Sequence, residues 1–259
     1  MTFLRLVSVS ALIVMTGCGR SQSSPMRSIR VAAASDLQNV LPKLVQAYRE
    51  VSATEVVVTF GASGQLAEQI KAGAPFDLFL AANRKYVDDL AKLDHVVADS
   101  VASYAIGSLV IAVHKDAPVV EILDDLMRPE IKRVAIANPD FAPYGAAARQ
   151  ALRASGLWDR LQTKIVLAET VRQTLQYVQT GNAEAGLVSQ ASADVSGVRI
   201  VAIDAKLYDP IIQNLGIVKG SENQEEAERF RRFLLGSAGR ALFSSHGFAI
   251  PDSQERSRP

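Results

Sequence analysis

Residues 56–80 read VVVTFGASGQLAEQIKAGAPFDLFL and contain two apolar runs separated by a helix-like segment. The runs are 56–60 and 77–80, and the segment between them stops at Gly73, a residue that commonly follows the last turn of a helix. Strands that alternate with helical patterns indicate β-α-β units, whose strands lie parallel in one sheet. This stretch therefore predicts an α/β fold.

The same alternation continues along most of the chain. Apolar runs predict about nine strands, at 29–33, 56–60, 77–80, 107–113, 133–137, 164–167, 185–188, 198–203 and 215–218. They fit either one doubly wound sheet or two sheets of four or five strands. No Pro/Gly-rich linker divides the chain, so two domains would be joined by strands that continue from one to the other.

The composition excludes several classes of protein. The chain has 259 residues, of which 48% are hydrophobic, enough for one large core or two modest ones. Lys and Arg number 28 against 27 Asp and Glu, so the basic surface expected of a nucleic-acid-binding protein is missing. One cysteine and three histidines argue against a Cys/His metal cage.

The N-terminus has the layout of a signal peptide. Arg5 precedes residues 6–15, an uncharged run that is too short to span a membrane as a helix. Gly17 before Cys18 resembles the lipobox of bacterial lipoproteins, in which the cysteine is lipidated and becomes the new N-terminus. Met15 departs from that pattern, because leucine is usual at its position.

We therefore predict a signal peptide over residues 1–17, a lipid anchor at Cys18 and a polar tether over 18–28. Cleavage of an ordinary signal peptide nearby is the alternative. Because Arg5 is the only charged side chain in residues 1–17, the mature chain would carry no net charge.

Four strand-to-helix junctions are rich in small residues. Ligands of open α/β sheets bind outside the carboxyl ends of strands, where the first turns of helices present unpaired N–H groups and a positive dipole. The first two junctions contain no cation, so they favour a fully ionised oxyanion held by backbone amides and by the hydroxyls of Ser35 and Ser63. A simple helix cap is the alternative for each serine. The junctions are 33–37 (AASDL), 61–65 (GASGQ), 138–145 (NPDFAPYG) and 168–171 (AETV).

Catalytic motifs are missing. The sequence contains no G-x-S-x-G, P-loop, G-x-G-x-x-G or H-E-x-x-H pattern, and neither Ser35 nor Ser63 has an evident base partner. Asp36 could accept a proton-bearing ligand, although an acid in a first helical turn is favoured by the dipole alone. We therefore predict that the protein is not an enzyme and uses no cofactor.

Five runs resemble, in one consistent order over about residues 29–250, the periplasmic molybdate-binding proteins of ABC importers. They are 31–37 (VAAASDL), 60–66 (FGASGQL), 73–80 (GAPFDLFL), 135–145 (AIANPDFAPYG, matched at AIANP and APYG) and 244–248 (SSHGF). The resemblance implies a two-lobed periplasmic binding protein of type II, in which each lobe is a mostly parallel sheet flanked by helices. It places lobe I at 29–108 and 218–259 and lobe II at 109–217.

The resemblance also implies a function and a site. Molybdate or tungstate would bind between the lobes and pass to an ABC permease, and we expect a monomer in the periplasm that touches the membrane only through its lipid. Ser35 and Ser63 would bind the anion through hydroxyl and backbone groups, and Tyr144 and Val171 through backbone amides. Molybdenum would be held only as the oxyanion, by these same residues. Ser189 stands where some members place a tyrosine, and the Tyr144 phenol is a candidate replacement donor.

Other functions stay open. Sulfate is the first alternative, because it is also a tetrahedral dianion, and phosphate ranks lower because it carries a proton near neutral pH and needs an acceptor. Asp36 is the candidate acceptor for that proton, so we predict that Asp36→Asn matters little for molybdate. A secreted α/β enzyme and the effector domain of a transcription regulator are the other two classes.

Overall fold

The computed structural model describes residues 27–252, which form two sheets of five strands each with helices packed around them. The strands are β1 (Ser28–Ala34), β2 (Glu55–Gly61), β3 (Leu78–Ala81), β4 (Ala102–Gly107), β5 (Leu109–His114), β6 (Val134–Ala137), β7 (Ile165–Ala168), β8 (Ala185–Ser189), β9 (Val198–Ala202) and β10 (Ile211–Ile217). The helices are α1 (Leu41–Arg49), α2 (Ser63–Lys71), α3 (Arg84–Lys92), α4 (Pro143–Ala154), α5 (Trp158–Leu161), α6 (Val171–Gln179), α7 (Gln224–Leu235) and α8 (Ser237–Ser245).

The two sheets repeat one strand pattern. The order is β2-β1-β3-β10-β4 in lobe I and β7-β6-β8-β5-β9 in lobe II. In each sheet one strand runs against the other four, β10 in the first and β5 in the second. The predicted α/β class is confirmed, with two mostly parallel sheets, and the single nine-stranded sheet is excluded.

The lobe boundaries differ from the prediction at one end. The chain passes from the first sheet to the second at Ser108, between β4 and β5. It was predicted to return to lobe I at residue 218, but β10 (Ile211–Ile217) already pairs with β3 and β4 of the first sheet. That boundary was wrong, and the return precedes Ile211.

Polar side chains on β4 and β10 explain this error. On β4, Ser103 donates to Asn214 Oδ1 at 2.7 Å and Tyr104 donates to Gln213 Oε1 at 2.7 Å. All four residues are buried, so each polar group is satisfied by one on the neighbouring strand. These four polar residues interrupt the apolar runs from which strands were predicted. The prediction therefore missed β4 and the first half of β10.

The helical face predicted over residues 37–48 is buried as expected, but it is divided. Residues Ser35–Gln38 form a short 3₁₀ helix, and α1 begins at Leu41. Pro42 lies in the first turn of α1, where its missing N–H group has no intrahelical acceptor to lose. The division leaves Ser35 and Asp36 directly after β1, in the 3₁₀ helix and not in α1.

The predicted signal peptide (1–17), Cys18 and nearly all of the tether (18–28) lie outside the described residues. The helices described within residues 27–252 include none with the length and hydropathy of a membrane span. The same part of the chain contains no group of three or more His, Cys, Asp or Glu residues placed to hold a metal ion.

Candidate functional site

The two lobes meet around a small cavity that is walled by all four predicted junctions. In lobe I the wall comes from the ends of β1, β2 and β3, and in lobe II from the first turns of α4 and α6. The lining residues are Ala34, Ser35, Asp36, Gly61, Ala62, Ser63, Ala82, Ala142, Pro143, Tyr144 and Val171. The cavity measures about 10 Å³, which is room for about one water molecule. The lobes are therefore nearly closed on each other.

Neither Ser35 nor Ser63 serves as the cap of its helix. The N-cap positions are Ala34 and Ala62, while Ser35 and Ser63 are the first helical residues. Ser63 is fully buried, and its Oγ accepts a hydrogen bond from Ala82 N at 3.0 Å. That bond joins the start of α2 to the end of β3. Because the Ser63 oxygen is the acceptor in it, the hydroxyl proton remains free to be donated to another group. The simple-cap alternative was wrong for both residues.

Lobe II contributes backbone amides. Tyr144 is the second residue of α4, and Val171 is the first residue of α6. First-turn amides have no acceptor within their own helix. Thr170 caps α6 by accepting from Gln173 N at 3.1 Å, so that amide is already satisfied while the Val171 amide remains at the cavity wall.

Ser189 stands apart from the other four predicted residues. It ends β8 and is fully buried, but it does not line the cavity. Its Oγ lacks a partner of hydrogen-bonding geometry among the described residues, although it lies near the Tyr144 phenol. The fold thus brings Ser35, Ser63, Tyr144 and Val171 together at the cavity. Ser189 lies outside the cavity wall, next to the Tyr144 phenol.

A buried polar network that sequence reasoning missed lies at the back of the cavity. Gln213 of β10 donates through Nε2 to Asp36 Oδ2 at 2.5 Å and to the Tyr144 Oη at 3.3 Å. Its carbonyl oxygen accepts from Tyr104 Oη. The available signal was the pair Gln213 and Asn214 inside the otherwise apolar run IIQNLGI, since buried polar residues in a strand need partners.

Burial dominates the electrostatics of this network. It raises the pKa of Asp36 from 3.8 to about 6, and the hydrogen bonds from Gln213 and Tyr144 offset part of that shift. Burial and the nearby Asp36 charge raise the pKa values of Tyr104 and Tyr144 well above 10. Both phenols are therefore neutral donors at physiological pH.

Direct hydrogen bonds cross the cleft at its rim. Gly64 N donates to Phe141 O at 2.9 Å, and Gln65 Nε2 donates to Glu169 Oε1 at 3.2 Å. A side chain at Gly64 would collide with the opposite lobe, because its Cβ would lie 2.9 Å from Phe141 O and 3.0 Å from Phe141 Cα. The approach of α2 to the 138–145 junction thus depends on a glycine.

Comparison with known proteins agrees with this architecture. Residues 29–249 match the family model described as bacterial extracellular solute-binding protein. The chain is 32% identical to the molybdate-binding protein ModA of Azotobacter vinelandii over 248 residues, covering 94% of this chain and 98% of the relative. It is 31% identical to the putative ABC transporter substrate-binding lipoprotein YvgL of Bacillus subtilis (strain 168), covering 94% and 96%.

A solved structure shows the same fold. The periplasmic molybdate-binding protein of Azotobacter vinelandii superimposes with a TM-score of 0.82 at 29% identity, and the match covers 86% of this chain and 100% of that chain. The two-lobed arrangement and the cleft between the lobes are thus common to both proteins.

Proposed function

The chain belongs to the family of bacterial extracellular solute-binding proteins, and on that premise we propose that it captures molybdate or tungstate between its lobes and delivers the anion to an ABC permease. The observation that carries the proposal is the convergence of four small-residue junctions on one interlobe cavity. The name of the Azotobacter relative supports the choice of ligand.

We propose that four residues donate hydrogen bonds to the anion. The hydroxyls and first-turn amides of Ser35 and Ser63 bind it from lobe I, and the amides of Tyr144 and Val171 bind it from lobe II. Dipoles of helix starts favour negative charge at this point without a cationic side chain. The molybdenum is reached only through its oxygens, and no covalent step, cofactor or resident metal takes part.

Binding requires movement. A tetrahedral oxyanion is larger than the water-sized cavity, so the lobes separate to admit it and close again on its oxygens. The anion favours closure because it contacts both lobes only in the closed state. The closed form is then the form that the permease recognises.

We further propose that the mature protein is a monomer anchored to the membrane through a lipid on Cys18. The sequence before Cys18 has the layout of a lipoprotein signal, and the Bacillus relative is named a lipoprotein. Mass spectrometry of the protein isolated from membranes tests the anchor. A diacylglyceryl adduct at Cys18 is expected, and a soluble chain with an unmodified N-terminus at another residue contradicts it.

Isothermal titration calorimetry of the purified protein with molybdate, tungstate, sulfate and phosphate tests the ligand. We expect heat with molybdate and tungstate, one anion per chain. Clear binding of sulfate with no heat from molybdate would assign the protein to the sulfate alternative. Ser63→Ala is the control, because it should weaken the binding of every anion that occupies this cavity.

A further inference from the structure

Asp36 is an acidic side chain in the wall of a site proposed for an anion. It follows Ser35 directly, lines the same cavity and is only 1% exposed. Its carboxyl group therefore lies beside any oxyanion held by Ser35 and Ser63. An ionised carboxylate at this position would repel a dianion in surroundings from which water is excluded.

The hydrogen bonds of Asp36 leave one oxygen open. Oδ2 accepts from Gln213 Nε2, and the orientation of that amide is fixed because Tyr104 uses its carbonyl oxygen. Oδ1 is buried and has no hydrogen-bond partner among residues 27–252. The Tyr144 phenol interacts with the carboxyl group, but it does not satisfy Oδ1 with hydrogen-bonding geometry. A buried oxygen without a partner, on a residue that lines the cavity, can accept a hydrogen bond or carry a proton shared with a ligand.

The groups that face Asp36 do not neutralise it. Tyr144 of α4 and Tyr104 of β4 are neutral phenols, and Ser192, which packs from lobe II, donates only to the Asp36 backbone oxygen. Arg172, in the first turn of α6, is the cation of the helix packed against the 3₁₀ segment. It forms no ion pair with Asp36 in the described part of the chain.

We propose that the closed complex holds one proton between the Asp36 carboxyl group and an oxygen of the bound oxyanion. For molybdate, which is fully ionised near neutral pH, the proton comes from solvent: the carboxylate becomes a carboxylic acid whose O–H donates to an oxyanion oxygen. A hydrogen-bearing anion such as hydrogen phosphate brings its own proton and donates it to the carboxylate.

The inference rests on the proposed function. It revises the expectation that Asp36→Asn matters little for the binding of molybdate. The pKa of about 6 supports it, because the neutral acid is then accessible near physiological pH and a neighbouring dianion raises the pKa further. Asp36 thereby becomes the residue that sets how strongly the site prefers fully ionised over proton-bearing anions.

Calorimetric titration with sodium molybdate and with inorganic phosphate, from about pH 7 to about pH 9, tests the proposal. Repeating each titration in buffers of different ionisation enthalpy measures the protons taken up. We expect the molybdate Kd of the unchanged protein to rise about tenfold per pH unit, with about one proton taken up per anion. For Asp36→Asn we expect a Kd that no longer depends on pH. The control Asp140→Asn removes the same charge from an exposed side chain that does not line the cavity, and it should keep the slope.

The outcomes separate this inference from the proposed function. Molybdate that binds equally well at both ends of the pH range, without proton uptake, overturns the inference and leaves the function standing. Binding of phosphate alone, abolished by Asp36→Asn, overturns the function and supports the inference. Proton uptake is measured on the unchanged protein, so the test does not depend on the folding of a variant.

Discussion

Replacing Gly64 by alanine should prevent closure without harming the fold. The new Cβ would lie 2.9 Å from Phe141 O and 3.0 Å from Phe141 Cα, backbone atoms of the opposite lobe that cannot turn away. The nearest atom of its own lobe is the Tyr86 hydroxyl at 3.1 Å, the end of a side chain that can rotate. The clash therefore exists only when the lobes are closed.

The magnitude follows from two terms. Separation of the lobes at this point breaks the hydrogen bond from Gly64 N to Phe141 O, worth about 1 kcal/mol. Overpacking of a close contact costs about 1–3 kcal/mol more. A closed state destabilised by about 2–4 kcal/mol corresponds to a Kd roughly 30- to 1,000-fold higher. Because alanine favours a helix over glycine by up to about 1 kcal/mol, the ligand-free variant should not unfold at a lower temperature.

Calorimetric titration with molybdate, thermal unfolding and small-angle X-ray scattering together check this expectation. Gln65→Ala is the matched control, because it removes only the exposed bond to Glu169 and should raise the Kd by less than about fivefold. The reasoning is refuted if Gly64→Ala binds within about threefold of the unchanged protein, or if it compacts on binding to the same extent.

Three further perturbations have defined outcomes. Ser63→Ala leaves the buried Ala82 N–H without its acceptor, so thermal or urea unfolding should show a free energy of unfolding lower by about 1–3 kcal/mol. Calorimetry should show a molybdate Kd at least about tenfold higher, and unchanged values in both measurements would contradict the assigned role. Burial raises the pKa of Asp36 to about 6 in the folded state against 3.8 when exposed, so the stability it contributes is present below about pH 3.8 and is lost as the pH rises to about 6. Urea titrations should therefore find Asp36→Asn more stable by up to about 3 kcal/mol at about pH 8 and no gain at about pH 3.5, and an equal gain at both would assign the effect to packing. Because the donors are local and neutral, the Kd for molybdate should change less than about threefold between about 0.05 M and 0.5 M NaCl, whereas a steep loss would indicate a general positive field.

Apolar periodicity was sufficient to predict most of the framework. The β-α-β unit at 56–80 was predicted from two short apolar runs, and the buried face at 37–48 from apolar residues three to four positions apart. Both are found. The junctions at the carboxyl ends of the strands follow from that framework, and Ser35 and Ser63 could be named from them. Tyr144 and Val171 were named from the resemblance to the molybdate-binding family, because a junction by itself does not indicate which amides face a ligand.

The missed elements have one physical cause. Ser103 and Tyr104 on β4, and Gln213 and Asn214 on β10, are buried because they hydrogen-bond to each other across the sheet. A local pattern contains no information on partners that lie about 110 residues away, so it reads these strands as polar breaks. This long-range pairing explains why the return to lobe I was placed at residue 218 and not before Ile211. It also explains why the surroundings of Asp36 were not recognised.

A crystal structure of the protein grown with molybdate tests the central claim most directly. We expect one anion between the lobes, with its oxygens within about 3.2 Å of the hydroxyl or amide groups of Ser35 and Ser63 and of the amides of Tyr144 and Val171. An anion bound elsewhere, or a cleft that closes without one at saturating molybdate, would contradict the account.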